Sequence, residues 1–365
     1  MAKKKQPKWQ EQLGDIDVRL LELLNERARL ARQAGAACRT PEAWQAFALW
    51  EASAAERLAA GNKGPFSTAA LKAVCRELAA DTLAGHKETL NVAFLGPSAT
   101  FSHQAALNRF GAAANYLPCA TIPDVFDAVC RGKAGFGVVP VENSTEGAIT
   151  YTLDMFADVD VSICAEINLE IHQHLLCRCS PEEVEVVYSH PSVFGQCREW
   201  LRRHLPQARL VQVTSTTEAA SRAAAEEGAA ALAGLLAAER YSLPVRASNV
   251  EDRAENLTRF FVIRKGGSAA PSGNDKTSLL FGVKDRVGAL LDSLEPFRRH
   301  KITLSFIESR PSRRRNWQYQ FFIDILGHAT DPQVQQAIEE LSEHCQFVKC
   351  LGSYPRAAVL DPGKA

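Results

Sequence analysis

The hydrophobic pattern of the chain changes character twice. Over residues 8–90 it repeats with the period of a helix: Ile16, Leu20, Leu23, Leu24, Arg27, Leu30 and Ala31 share one face at i, i+3/i+4 spacing. A second helix is expected after Pro41 and a third from Ser67 to Ala84, with Gly61–Pro65 separating them. The pattern predicts a small all-α helical domain whose apolar stripes invite dimerisation. Residues 91–265 instead alternate strand and helix signals. Strands are expected at Asn91–Leu95, Gly135–Val139, Glu183–Tyr188, Arg209–Val213, Ala229–Ala233 and 258–264. Helices are expected after the Gly96-Pro97-Ser98 turn as far as Gly111, at Pro123–Arg131, and over 191–204, 216–227 and 235–240. Such alternation means an α/β sheet, with ligands at the carboxyl ends of strands. The late return to a strand at 258–264 predicts two α/β lobes around a cleft, the periplasmic-binding-protein-like arrangement.

Residues 266–274, Gly-Gly-Ser-Ala-Ala-Pro-Ser-Gly-Asn, read as a linker. A third pattern fills 275–356: strands Thr277–Val283, 302–308, 317–325 and 346–350 with helices 287–299 and 332–343. That βαββαβ order is ferredoxin-like. The whole is therefore a multidomain chain.

Composition narrows the function classes. The chain has 42 basic and 42 acidic residues, so its zero net charge gives no argument for nucleic acid or an anionic membrane. Lys3-Lys4-Lys5 reads as a short solvated tail. No stretch approaches the roughly 18 apolar residues of a membrane span, and no signal peptide opens the chain. Ten cysteines without disulfide-framework spacing fit a reducing cytoplasm. His172, His174, Cys177 and Cys179 resemble a ligand cluster, but strand alternation sends the two pairs to opposite faces. No metal and no cofactor are expected.

Several strand ends carry chemistry. Thr258 and Arg259 place a hydroxyl beside a guanidinium where a buried strand begins, a combination suited to holding a carboxylate and moving a proton. The bland reading of Arg259 is an ion-pair partner. Glu142 and Asn143 sit where another strand empties into the cleft, as candidate site residues or as a polar turn. Ser189-His190-Pro191 ends a third strand, with Gln196 in the following helix; His190 could equally be a packing residue at the helix start. Ser98, Thr100 and Ser102 surround a helix N-terminus, which can bind a carboxylate or simply be capped by these hydroxyls.

Together these motifs resemble the prephenate dehydratase family over about residues 91–265. Its Thr-Arg-Phe signature stands here as Thr258-Arg259-Phe260 and its Glu-Asn pair as Glu142-Asn143. Its Ser-His-Pro segment with a downstream Gln-Cys stands as Ser189-His190-Pro191 and Gln196-Cys197, and Ser215 to Ala220 also matches. The resemblance implies conversion of prephenate to phenylpyruvate, water and carbon dioxide, in phenylalanine biosynthesis. Thr258 would donate to the leaving C4 hydroxyl, and Arg259 would clamp a substrate carboxylate. Glu142 would assist if burial raised its pKa. Asn143, Ser189 and Gln196 would orient the substrate, with Ser98, Thr100 and Phe260 lining its site.

The C-terminal unit resembles an ACT regulatory domain. Gly288-Ala289-Leu290 opens its first helix and Glu308-Ser309-Arg310-Pro311 closes its second strand. The resemblance implies L-phenylalanine as effector, bound between the ACT domains of two chains of a homodimer or homotetramer; the bland reading is a purely structural module. Val287 replaces the family's proline before Gly-Ala-Leu, and Thr303 replaces its Ile-Asn-Leu asparagine.

Residues 8–90 resemble the chorismate mutase domain fused in front of such dehydratases. Arg27 keeps that family's helix-one cation and Glu51 its glutamate. The other cations are replaced: Gln10, Cys38 and Trp50 stand where they are expected, and Phe47 stands for an aspartate. One arginine cannot hold two carboxylates and an ether oxygen, so a mutase-like remnant without activity is expected. A fully bifunctional mutase-dehydratase is the competing enzyme reading. A non-catalytic amino-acid sensor is the competing reading of another class.

Overall fold

In a computed structural model of the chain, the described residues are 7–38, 41–84, 90–111, 114–253, 255–284, 286–311, 319–357 and 359–360. The lysine tail and the first two positions of the strand expected at 317–325 lie outside them. Two compact units make up the chain, a helical one built mainly from Met1–Leu90 and a larger one from Asn91 onward.

The helical unit holds α1 (Lys8–Ala37), α2 (Pro41–Ala52), α3 (Ala54–Gly61) and α4 (Thr68–Ala84). The second expected helix is thus broken at Ser53, whose hydroxyl bonds back to the Trp50 carbonyl at 2.8 Å. The expected α1 stripe is mostly left uncovered. Ala31 is buried, whereas Ile16, Leu20 and Leu23 are each more than half exposed. No helix among the described residues is long and apolar enough to cross a membrane.

The larger unit contains three sheets. The chain builds β1 (Asn91–Leu95), α5 (Phe101–Phe110), β2 (Asn115–Cys119), α6 (Ile122–Cys130), β3 (Phe136–Asn143), β4 (Gly147–Ala148), α7 (Thr150–Asp158) and β5 (Ser162–Glu170). It then crosses to a second lobe of β6 (His174–Cys177), β7 (Val186–Ser189), α8 (Pro191–Gln196), α9 (Arg198–His204), β8 (Arg209–Gln212), α10 (Thr216–Ala225), β9 (Ala229–Ala233), α11 (Leu235–Tyr241) and β10 (Val245–Ala247). A second crossover returns it to β11 (Leu257–Arg264) in the first sheet. β11 enters between β3 and β5, antiparallel to both. The second sheet runs β10-β6-β9-β7-β8.

β5 was not among the expected strands, although Ile163, Ala165, Ile167 and Leu169 alternate with Cys164, Glu166 and Asn168 as a strand requires. α7 and β2 are likewise absent from the expected elements, whereas β6 falls in the segment read as a strand around His174 and Cys177. Each is short, and amphipathic periodicity is weak over so few residues.

The third sheet comprises β12 (Asp275–Val283), β13 (Leu304–Pro311), β14 (Tyr319–Leu326) and β15 (Cys345–Pro355) in the order β13-β14-β12-β15. Helices α12 (Ala289–Arg299) and α13 (Pro332–His344) cover one face around Phe281, Phe297, Ile323 and Leu341. The other face packs on the first sheet: Leu280, Phe322, Leu351 and Tyr354 join Phe156, Ile163, Phe261 and Ile263 in one core. A terminal strand, β16 (Val359–Leu360), pairs with β5.

Two histidines of the larger unit are held neutral. The Ala99 N–H donates to Nδ1 of His103 at 3.0 Å, and the Asn249 N–H to Nδ1 of His174 at 3.3 Å. Protonating either nitrogen would set one N–H against another. Burial, then Arg240, lowers the His103 pKa below its ordinary 6.5. Burial is also the main cause for His174, where Glu251 opposes the shift and His172 adds to it. The unfolded chain then binds these protons more readily, so stability falls as pH drops below about 6.5. The melting temperature is expected to decline between pH 7 and pH 5 in His103 and His174 wild type, and less steeply in His103→Gln. Equal slopes for both proteins would contradict this assignment.

Candidate active site

Strand geometry divides the expected site in two. Successive side chains of a strand point to opposite faces. On β11, Thr258 pairs with Asn143 of β3 and Arg259 with Glu142, so each pair shares a face and the two pairs lie on opposite faces.

On the first face the amide of Asn143 donates to the hydroxyl of Thr258 and to Oδ1 of Asn256, each at 2.8 Å. Asn143 Oδ1 accepts from the N–H groups of Thr145 and Glu146 at 2.9 and 3.1 Å, which fixes the amide's orientation. Asn256 donates to Gln196 Oε1 at 3.1 Å, and Gln196 donates to Glu146 Oε1 at 3.3 Å. Asn143, Asn256, Gln196 and Glu146 thus close a ring that joins α8 of the second lobe to the β3–β4 turn of the first. Thr258 accepts from this ring. A hydroxyl has one proton to give and two lone pairs, so that proton remains available to a ligand.

The ring borders a cavity of about 450 Å³. Glu146, Gln196 and Asn256 line it, together with Arg198 and Arg253. Neither guanidinium has a hydrogen-bond or ion-pair partner among the described residues. Of the carboxylates that line the cavity, Glu251 and Asp252 are engaged, while Glu199 lies beside Arg198. Glu251 takes His172 at 2.7 Å and the Gln173 N–H at 2.9 Å, and Asp252 caps the start of α9 through the Glu199 and Trp200 N–H groups, both at 2.9 Å. The cavity therefore offers two free cations where anions would be held.

On the opposite face Arg259 is not free. Its guanidinium meets Glu166 of β5 at 2.7 and 2.8 Å, Asp324 of β14 at 2.5 Å and the Tyr354 hydroxyl of β15 at 3.1 Å. It is 7% exposed and stacks over Phe261. The expected carboxylate clamp is therefore corrected to a buried structural cation, because β11 turns its side chain away from Thr258. The same alternation removes Glu142 from Thr258: it lies opposite Arg259, and Glu146 is the carboxylate on the cleft side.

Other expectations also move. Ser189 is fully buried and donates to the Leu232 carbonyl at 2.8 Å, so it joins β7 to β9 instead of lining the cavity. Phe260 is 1% exposed and belongs to the core. Thr100 donates to the Leu95 carbonyl at 3.1 Å and accepts from the His103 N–H at 3.4 Å, which is the capping alternative. Ser98 lies half-buried in the same turn, away from the ring. His190 caps α8 by accepting from the Ser192 N–H. Sequence reasoning did not single out Glu146, Arg198, Arg253 or Asn256 as site residues. Asn256 and Arg253 precede the Thr-Arg-Phe run, so their nearness in sequence was an available signal; Arg198 had none.

In the third sheet, Gly288 adopts φ +77° at the start of α12, a left-handed conformation that glycine tolerates without strain. Ala289 is buried there and Leu290 half-buried, while Leu291 is largely exposed. Glu308, Ser309, Arg310 and Pro311 lie on β13, which pairs only with β14 among the described residues. Arg310 reaches across to α7 and binds Asp154 through two bonds of 3.0 and 3.1 Å.

In the helical unit Arg27 bonds Glu51 at 2.6 Å, and Glu51 is 1% exposed. A cavity of about 440 Å³ beside them is lined by Glu26, Leu30, Ala31, Ala34, Phe47 and Trp50. Its one arginine already has a carboxylate partner.

Comparison with known proteins agrees with this layout. A prephenate dehydratase family model matches residues 92–268, and an ACT domain model matches 277–343. The bifunctional chorismate mutase/prephenate dehydratase of Aquifex aeolicus (strain VF5) is 45% identical over 355 residues, which is 96% of this chain and 98% of that protein. A prephenate dehydratase from Amycolatopsis methanolica is 38% identical, over 74% of this chain and 91% of its own. Among solved structures, the prephenate dehydratase of Arthrobacter aurescens in complex with L-Phe has a TM-score of 0.68 at 35% identity, covering 73% of this chain and 90% of that one. GqqA, described as a novel type of quorum quenching acylase, has a TM-score of 0.67 at 27% identity over 73% of this chain and 98% of its own. The chain belongs to the bifunctional chorismate mutase/prephenate dehydratase family, with a prephenate dehydratase region, a C-terminal ACT domain and a helical N-terminal region.

Proposed function

We propose that the cavity beside Thr258 dehydrates and decarboxylates prephenate to phenylpyruvate. The observation that carries this is the Thr258 hydroxyl, oriented by Asn143 with its proton free and joined through Asn143 and Asn256 to a cavity with two uncommitted guanidinia. As the C1–carboxylate bond breaks, its electron pair enters the ring, which becomes aromatic, and the C4–oxygen bond breaks. The departing oxygen takes a proton and leaves as water, with carbon dioxide as the second product. Thr258 donates a hydrogen bond to that oxygen. A threonine is too weak an acid to supply the proton unaided, and Glu146 is the carboxyl group on the correct face to help.

The ring carboxylate loses its charge in the transition state, so a cation held on it would stabilise the ground state more. The pyruvyl carboxylate keeps its charge throughout. Arg253, on the crossover beside Asn256, is therefore assigned to the pyruvyl carboxylate, with Arg198 as second contact. That is uniform binding, which affects KM and leaves kcat nearly unchanged. Arg253→Gln is expected to raise KM for prephenate by about 30-fold, within the range for losing a charge-assisted pair. Steady-state kinetics would expose a wrong assignment as an unchanged KM.

The two crossovers act as the hinge of a solute-binding-protein-like fold, and the Gln196–Glu146 bond closes the cleft. L-phenylalanine, the molecule named in the Arthrobacter aurescens complex, is the effector of the ACT domain. It binds between two chains at Gly288–Leu290 and Glu308–Pro311. The exposed Ile16, Leu20 and Leu23 of α1 support a homodimer or homotetramer. The helical cavity holds one arginine, already paired with Glu51, and its other charged wall residue is Glu26, which supports a mutase remnant without activity. One pair of assays tests the whole reading. Purified protein is expected to form phenylpyruvate from prephenate and to leave chorismate at its uncatalysed rate. Absence of phenylpyruvate would return the chain to the sensor class, and enzymatic loss of chorismate would restore the bifunctional reading.

A further inference from the structure

The clearest unassigned feature is the buried polar cluster beneath the strand that carries Thr258. Arg259 is the next residue along β11, and four of its bonds are described above. Asp324 uses its second oxygen to accept from the Ser278 hydroxyl at 2.5 Å, and that hydroxyl lies 2.6 Å from the Tyr354 hydroxyl. Glu166 also takes Lys276 at 3.0 Å and the Ala357 N–H at 3.1 Å. Two carboxylates and two cations thus share one nearly closed site. Arg259 and Glu166 come from the dehydratase region; Asp324, Tyr354, Ser278 and Lys276 come from the ACT sheet.

A cluster of this kind fixes geometry. A guanidinium is a planar fork, and its bonds to Glu166 and Asp324 set its position from two sides. Its backbone is the strand, so fixing the guanidinium fixes β11 at the residue adjoining Thr258. The β3–β11 register shifts between Arg259 and Phe260, so ladder bonding is interrupted there. At such an irregularity a side-chain anchor counts for more.

We propose that Arg259 is a positioning residue through which the ACT domain sets the placement of Thr258. This rests on the dehydratase reading of the cleft. Asp324 and Tyr354 hold Arg259, Arg259 holds β11, and β11 presents the Thr258 hydroxyl to Asn143 and to substrate. A shift of the ACT sheet is then felt at Thr258 before it is felt at the substrate-binding cations, and it alters turnover more than affinity. The coupling is carried by named contacts and is open to direct test.

The test uses the full-length chain with Asp324→Asn, which keeps shape and removes charge. The comparison variant is Lys349→Met. Lys349 ties β15 to the carbonyls of Phe156 and Val159 at 2.9 and 2.8 Å, so it joins the same two regions without touching β11. Asp324→Asn is expected to lower kcat about tenfold with KM within about twofold, and to reduce amide-exchange protection at Thr258–Phe261. Lys349→Met is expected to keep kcat and that protection even where it lowers the melting temperature. Should Asp324→Asn fail to fold, Tyr354→Phe removes a single hydroxyl from the cluster and is expected to lower kcat about threefold. Unchanged kcat and exchange in a folded cluster variant, or equal kcat losses in Lys349→Met, would overturn the proposal. Exchange is read without substrate, so an inactive wild type would count against the dehydratase reading and leave the anchoring role decided separately.

Discussion

Thr258→Ala is expected to yield a folded protein whose phenylpyruvate formation falls by about three orders of magnitude, within the span attributed to positioned proton donors. The substitution removes one hydroxyl and nothing that supports the strand. Asn143 keeps its second acceptor at Asn256, so the ring that spans the cleft stays closed. Arg259 and its partners face the other way and are untouched. Because the lost hydrogen bond strengthens only as the C4–oxygen bond breaks, kcat carries the effect and KM changes little. Thr258→Ser restores the donor and should recover most of the rate. A Thr258→Ala enzyme within tenfold of wild type would place the donor elsewhere, with Glu146 the first alternative. This measurement matters beyond one residue. A protein of the same fold is described as an acylase, so the fold alone does not choose the chemistry.

The largest expected loss of stability is at Gly352. Its φ is +139°, and a Cβ there would overlap the carbonyl oxygen of Ile163 on β5 and approach its N and C atoms. Ile163 cannot retreat cheaply, since it pairs with Ile263 of β11. The glycine is therefore the point at which the ACT backbone lies against the dehydratase sheet. Gly352→Ala is expected to cost about 4 kcal/mol, combining overpacking with left-handed backbone strain. That corresponds to a fall of about 10 °C in melting temperature for a unit of this size. Gly147→Ala is the natural control: φ is +85° but no atom lies within 4 Å of the added carbon. It should cost about 1 kcal/mol. If the two variants melted together, the close approach at Ile163 would not be a real constraint. A Gly352→Ala protein that stays folded should also lose its response to L-phenylalanine, because the docking face of the ACT sheet would be displaced.

The sequence by itself determined the order of the helical, α/β and βαββαβ regions and pointed to the strand that carries Thr258. Helical period, strand-helix alternation and the βαββαβ pattern are local properties of spacing. Short motifs such as Thr258-Arg259-Phe260 survive as contiguous text. What the sequence did not determine is which side of a strand each motif residue serves. Thr258 and Arg259 are adjacent letters, yet the two-residue period of β11 sends one to the cleft and the other to the ACT sheet. Glu142 and Asn143 are separated by the same rule. Ser189 looked like a strand-end ligand and proved to be a buried tie to β9. The cations left free at the cavity, Arg198 and Arg253, are 55 positions apart and meet only because two crossovers bring α9 beside the return to β11. Periodicity is written in neighbours along the chain; facing, burial and pairing depend on partners distant in it, and those only the tertiary structure supplies.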